Sequence, residues 1–298
     1  MKHLVLAMSL LMATVPTFAG IKEAKAAMQK EDFATAIKEW TALANKGNAE
    51  AQFNLGVIYG AGLGTESNMD KAIGWYNKAA TQNHPEAAYI MSIAYAKGQG
   101  IKEDKTASMQ WLKKAAELGS ARAQNSLGDD YFDGIDVAQN RSTAFYLYKK
   151  AAEQGNADAQ RNMGYVYSNG QGAEQNDQEA IKWYTLAAKQ ELVIAYGELG
   201  GIYMKLKDYK QGMYWLQKGS ESGDNNAQRQ YGVGYFLGDG VPENKAEGFK
   251  WVFLAVETGH DENAYDLEAK LVKMMTPEQV EEGKRLAMKW LNDHGYIK

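Results

Sequence analysis

The chain repeats itself every 36 residues. One column holds Tyr59, Tyr95, Tyr131, Tyr167, Tyr203 and Tyr235, spaced by 36 four times and then by 32. Eight residues upstream, a second column holds Ala51, Ala87, Ala123, Ala159, Ala195 and Ala227. A fixed period of this length signals an array in which each unit covers its apolar face with its neighbours. A third column stays small: Ala36, Ala72, Ser108, Ala144, Ala180, Gly212 and Gly248. Three residues after it come Trp75, Trp111, Leu147, Trp183, Trp215 and Trp251, each followed directly by Tyr76, Leu112, Tyr148, Tyr184, Leu216 or Val252. Four residues past the Trp column the chain is small again, at Ala79, Ala115, Ala151, Ala187, Gly219 and Ala255.

Spacings of three and four place Ala51, Leu55 and Tyr59 on one helical stripe, and Ala72, Trp75 and Ala79 on another. Each unit therefore predicts two amphipathic helices, with bulky rings set against small residues so that backbones approach closely. Between them lie Gly62-Leu63-Gly64, Gly98-Gln99-Gly100, Gly170-Gln171-Gly172 and Gly238-Asp239-Gly240. A nucleotide-binding glycine loop follows a strand, whereas each of these follows a helix bearing the Tyr column. They are expected as helix stops with positive φ.

The strings AQxxLGxxYxxGxG and KAxxWYxKAA, matched almost throughout by Ala51 to Ala80, resemble the Sel1-like repeat family, a relative of the tetratricopeptide repeat. The resemblance implies an all-α fold, a right-handed α-solenoid (superhelix) of tandem helix-turn-helix repeats whose first helices line the concave side. Six repeats are expected at 48–83, 84–119, 120–155, 156–191, 192–223 and 224–259, preceded by a tetratricopeptide-like unit at 20–47 and followed by capping helices over 260–298. Unit three carries Asp136 in place of the second loop glycine, and unit five lacks the loop, with a short turn at Asp208-Tyr209. Thr276-Pro277-Glu278-Gln279 reads as the capped start of a terminal helix.

Residues 1–19 read as a cleaved secretory signal: Lys2, an apolar run from Leu4 to Val15, and Thr17 and Ala19 ahead of Gly20. The chain has no cysteine, so neither a disulfide nor a lipid-bearing thiol is available, and no membrane anchor is expected after cleavage. Removing Lys2 with the signal takes the formal charge from −4 to −5. Basic residues are dispersed, which argues against a nucleic-acid partner. Size without disulfides suits a bacterial periplasm, and the chain is expected as a monomer.

On the first helices, the positions opposite the Ala and Tyr columns vary from unit to unit: Phe53, Asn54 and Val57; Tyr89, Ile90 and Ile93; Asn125, Ser126 and Asp129; Arg161, Asn162 and Tyr165; Arg229, Gln230 and Val233. Phe, Tyr and Arg are frequent anchors of protein interfaces, although Phe53 and Tyr89 also suit packing on the next hairpin. Of these, Phe53, Asn54, Val57, Tyr89, Ile93, Asn125, Asp129, Arg161, Tyr165, Arg229 and Val233 are the candidate partner-binding residues. The resemblance implies an adaptor that binds a partner protein or peptide. A β-lactam hydrolase-like activity is the enzymatic alternative, since a cysteine-rich branch of the family is associated with it, and an exported factor binding a host protein is another. His84, His260 and His294 are too dispersed to suggest a metal or catalytic centre, and nothing calls for a cofactor. Asp129, Asp130, Asp133 and Asp136 could offer oxygens to calcium, but their spacing does not follow a calcium loop.

Overall fold

The computed structural model describes residues 17–259 and 262–296. The apolar run of the expected signal and His260 lie outside them. Among the described residues there are sixteen helices and no strand. They fall into two compact units, divided between Leu127 and Gly128. The first contains α1 (Thr17–Gln29), α2 (Phe33–Ala44), α3 (Ala49–Ala61), α4 (Met69–Thr81), α5 (Pro85–Lys97), α6 (Lys105–Glu117) and the start of α7 (Ala121–Asp133). The second contains the rest of α7, then α8 (Arg141–Glu153), α9 (Ala157–Asn169), α10 (Asp177–Lys189), α11 (Val193–Lys205), α12 (Tyr209–Glu221), α13 (Asn225–Leu237), α14 (Lys245–Gly259), α15 (Glu262–Val272) and α16 (Pro277–Asp293).

The helices are punctuated at both ends. At their starts, the side chains of Asn48, Asn68, Asp104, Asn140, Asn156 and Asp208 each accept a hydrogen bond from the backbone N–H three residues on, satisfying one of the donors a first turn leaves without a helical acceptor. His84 does the same for α5 through Nδ1 at 3.2 Å, so that nitrogen carries no proton, and burial lowers its pKa. At their ends, Gly62, Gly98, Gly170 and Gly238 take φ of 70°, 64°, 66° and 75° as C-caps, the left-handed conformation in which a side chain is disfavoured. Asp136, in the slot of the second loop glycine, adopts φ 56°. Each loop is then closed by a backbone hydrogen bond to the carbonyl of a Tyr-column residue, as from Asn68 to Tyr59 at 2.7 Å and from Asn176 to Tyr167 at 2.8 Å. Thr276 and Gln279 form the expected capping box of α16.

Packing follows the small and large columns, with one correction. Every residue of the Ala51 column is completely buried. The consistent large partner, however, is not the Trp column. Only Trp183 and Trp251 of that column are buried. Trp75, Trp111, Leu147 and Trp215 remain half-buried, with Lys78 above Trp75 at 4.0 Å and Lys114 above Trp111 at 4.9 Å. The residue after each is buried in every unit: Tyr76, Leu112, Tyr148, Tyr184, Leu216 and Val252. One step along a helix turns the side chain by about 100°, which separates a ring in the core from a ring at its margin.

The glycine in AQxxLG is what admits the deeper ring. A Cβ on Gly56 would stand 2.5 Å from the Tyr76 ring, one on Gly128 2.7 Å from Tyr148, and one on Gly164 2.6 Å from Tyr184. In the second repeat, where the ring is replaced by Leu112, the glycine is replaced by Ser92. Gly164→Ala is therefore expected to destabilise the protein by about 1–3 kcal/mol through overpacking. Gly74, on the exposed side of α4, would have nothing within 4 Å of an added methyl group. Gly74→Ala should instead stabilise by about 0.5–1 kcal/mol. Paired urea titrations check both signs.

Successive hairpins are also tied by the Gln of the AQ pair. Buried Gln52 donates to the Ala44 carbonyl at 3.2 Å, Gln124 to Ala116 at 3.1 Å, Gln160 to Ala152 at 3.2 Å and Gln228 to Ser220 at 3.2 Å. Each bond runs from a first helix to the end of the preceding second helix, adding a second donor to a carbonyl beyond the reach of α-helical bonding that already accepts from the N–H of the turn glycine, Gly47, Gly119, Gly155 or Gly223. The oxygens of Gln52 and Gln160 accept in turn from Gln82 and Gln190, at 2.7 and 2.8 Å.

Candidate partner-binding face

All eleven candidate residues are half-buried rather than fully exposed, because each first helix lies against its neighbours. Phe53 stacks on His84 with ring centroids 4.5 Å apart and tilts against Tyr76 at 5.8 Å. Tyr89 shares a hydrogen bond with Ser126 at 3.1 Å and lies under the Arg122 guanidinium, which pairs with Glu86 at 2.9 Å. Asn54 donates to the Glu50 carbonyl within its own helix at 2.8 Å, and Arg229 donates to Asn226 at 2.6 Å. Asn125 and Val233 are half-buried on α7 and α13. These six line neither of the two pockets described next.

The other five gather in two pockets, one in each unit. In the first unit, a pocket of about 340 Å³ is lined by Val57, Gly60, Ala61, Met69, Ile73, Tyr76, Ile90, Ile93, Ala94 and Gln99. In the second, a pocket of about 310 Å³ is lined by Asp129, Phe132, Asp133, Tyr148, Arg161, Asn162 and Tyr165. The two occupy the same place in the repeat. Adding 72 residues, two repeat lengths, converts Val57, Gly60, Ala61, Tyr76, Ile90 and Ile93 into Asp129, Phe132, Asp133, Tyr148, Asn162 and Tyr165. One frame, floored by a core Tyr, thus carries an apolar lining in one place and an acidic, aromatic lining in the other.

The second pocket is organised by hydrogen bonds. Asp129 Oδ1 accepts from the Tyr148 hydroxyl at 2.8 Å and from Asn162 Nδ2 at 3.1 Å. Arg161 donates to Asn162 at 3.3 Å and to Glu198 Oε1 at 2.6 Å, and the Tyr184 hydroxyl donates to Glu198 Oε2 at 2.8 Å. Burial raises the Asp129 pKa, and the charges of Asp133 and Asp158 add to it against the two hydrogen bonds. Asp130 is pushed up to about 6 by burial and by Asp136, Asp129 and Asp133. Burial pushes the Tyr148 and Tyr184 phenols up as well, followed by the carboxylate each one faces. Burial opposes the Arg161 charge, but Glu198 outweighs it and holds the guanidinium pKa high.

Glu198 is not among the residues that the sequence singles out. Unit five lacks the glycine loop, which obscures its face, yet Glu198 stands one repeat after Asn162 in the same column. Tyr76 and Tyr148 read from the sequence as core residues alone; their rings are core and their outer edges line pockets. Among the described residues, no group of three or more His, Cys, Asp or Glu is placed to hold a metal ion. Among the same residues, no helix is long and apolar enough to cross a membrane.

Stacked helical hairpins with a variable lining on a constant frame define an all-α repeat solenoid, tetratricopeptide-like in its units. The chain belongs to the Sel1 repeat family, matched at residues 49–84, 85–120, 121–156, 157–192, 194–224 and 226–260. Among solved structures, it is similar to a protective antigen of uropathogenic Escherichia coli strains that displays the SLR fold, at 26% identity and a TM-score of 0.71, covering 92% of this chain and 68% of that one. It is also similar to a Sel1 repeat protein from Oxalobacter formigenes, at 27% identity and a TM-score of 0.66, covering 79% of this chain and 96% of that one. No curated protein matches the chain in sequence. Sel1 repeat proteins generally mediate protein–protein interaction, and the fold is typically a non-catalytic scaffold.

Proposed function

We propose that this chain is a non-catalytic scaffold or adaptor of the bacterial periplasm, binding a partner protein or peptide along the face of its first helices. The observation that carries this reading is the pair of repeat-equivalent pockets, open at the same place and lined by residues that differ while the frame does not. A core needs constant residues, whereas recognition of a particular partner needs variable ones on a rigid support. The periplasmic placement rests on the signal-like residues 1–19 and the absence of cysteine. Of the remaining candidates, Phe53 and Tyr89 hold neighbouring first helices together through His84 and Ser126, and Asn54 and Arg229 bond within their own helices.

The similarity to a protective antigen supports a second reading, an exported factor that contacts a host protein. Cell fractionation separates the two. To test the binding face, the processed chain is used to capture partners from a periplasmic extract. Ile93→Gln and Tyr165→Ser are expected to lose the captured protein, while Tyr146→Ser, at an exposed position on α8, keeps it. Equal capture by all three would overturn the assignment of this face.

A further inference from the structure

We propose that the second-unit pocket receives a basic side chain, an arginine or lysine presented by a partner polypeptide. This deepens the binding-face reading and rests on it. The two pockets differ in the residues that matter. At the place of Asp129 the first unit has Val57, and at the place of Asp133 it has Ala61. The same helical frame therefore closes without carboxylates. Bringing Asp129 into a half-buried place carries a desolvation cost that a valine does not, one that its bonds from Tyr148 and Asn162 do not cancel, since burial still raises its pKa. Asp133 stands exposed at the rim, so the stack by itself calls for neither acid.

The walls fit the same occupant. Phe132 and Tyr165 meet edge to face at 5.9 Å and leave aromatic surface on the pocket, which attracts a cation through the ring quadrupole. Two cations are already near. Arg161 lies over Tyr165 at 5.6 Å and is paired with Glu198, and Arg141 lies over Phe132 at 5.5 Å. Against them stand Asp129, Asp130, Asp133, Asp136 and Asp158, the charges that act on one another around the pocket. The surplus is negative. A guanidinium or ammonium entering here meets Asp133 at the rim, Asp129 further in, and the rings at its sides. Charge-assisted hydrogen bonds in such a partly dry site are stronger than neutral ones. An acidic side chain would meet like charge, and an aliphatic one is better served by the pocket lined by Val57, Ile90 and Ile93.

The test uses the whole processed chain and three short blocked peptides, Gly-Arg-Gly, its citrulline counterpart and its glutamate counterpart, followed by amide chemical shifts in NMR titrations. Saturable shifts confined to the neighbourhood of Asp129, Phe132, Asp133, Asn162 and Tyr165 are expected with the arginine peptide. Citrulline keeps the shape without the charge and should bind at least about tenfold more weakly, because the charge-assisted bonds are lost. Asp133→Asn, at an exposed position, should weaken the arginine peptide severalfold and leave the thermal transition unchanged. Absence of saturable shifts, equal binding of citrulline, binding of the glutamate peptide, or shifts with calcium chloride alone would overturn the proposal. Capture of the natural partner separates the two readings. If Asp133→Asn captures as well as the parent while Ile93→Gln does not, the basic pocket falls and the binding face stands.

Discussion

Trp40→Ala is expected to cost about 3–5 kcal/mol, the range for removing a completely buried large aromatic side chain. Trp40 has no exposed surface and lies among Ala24, Ala27, Ala36, Leu43, Ala51 and Leu55, with Trp75 packed against the same cluster. Those neighbours come from α1, α2 and α3, so the ring fastens the first hairpin to the rest of its unit. In an array held by nearest-neighbour contacts, the loss should be local first. Hydrogen exchange should show α1 and α2 losing protection before the helices that follow. Trp40→Phe should be far milder, since the indole nitrogen makes no hydrogen bond among the described residues. A uniform loss of protection along the first unit would contradict the local assignment of this ring.

Arg161→Met is expected to cost about 2 kcal/mol, between the small value of surface ion pairs and the larger one of buried pairs. The side chains of Arg161 and Glu198 are 28% and 23% exposed, against 52% and 33% for Arg122 and Glu86. Removing Arg161 leaves Glu198 with the Tyr184 hydroxyl as its remaining described hydrogen-bond donor, a half-buried charge without its counter-ion. The comparison variant Arg122→Met should cost less than about 1 kcal/mol. The double variant Arg161→Met with Glu198→Leu should recover most of the loss, because replacing both partners removes the stranded carboxylate. Denaturant midpoints of the parent, the two single variants and the double variant close the cycle, and a double variant as unstable as the sum of the singles would show that the pair is not coupled.

Much of the fold is written in single positions. Glycine at a helix end and Asn or Asp at a helix start act through their own backbone, so Gly62, Gly98, Asn48 and Asn156 can be read without knowing what surrounds them. Depth within the stack cannot. Trp75 and Tyr76 are both aromatic and differ by one step, and only the neighbouring helix decides which of them meets Gly56. The binding face is legible as a column of changing residues but not as a surface. Phe53 looks exposed on a single helix, and it is the approach of His84 at the start of α5 that covers it. The pockets are invisible in the sequence for a related reason: they arise between helices, from residues two helices apart in the chain.

The glutamine ties carry one consequence beyond stability. Each joins a residue just inside a first helix to a carbonyl eight positions earlier, so the fastening between neighbours is local in the chain and travels with each copy that carries the glutamine, four of the six; Ala88 and Tyr196 stand in its place in the other two. A gene encoding such units can gain or lose one of them whole and still produce a seam that closes. Lengthening the molecule then adds a new recognition position without redesigning the old ones.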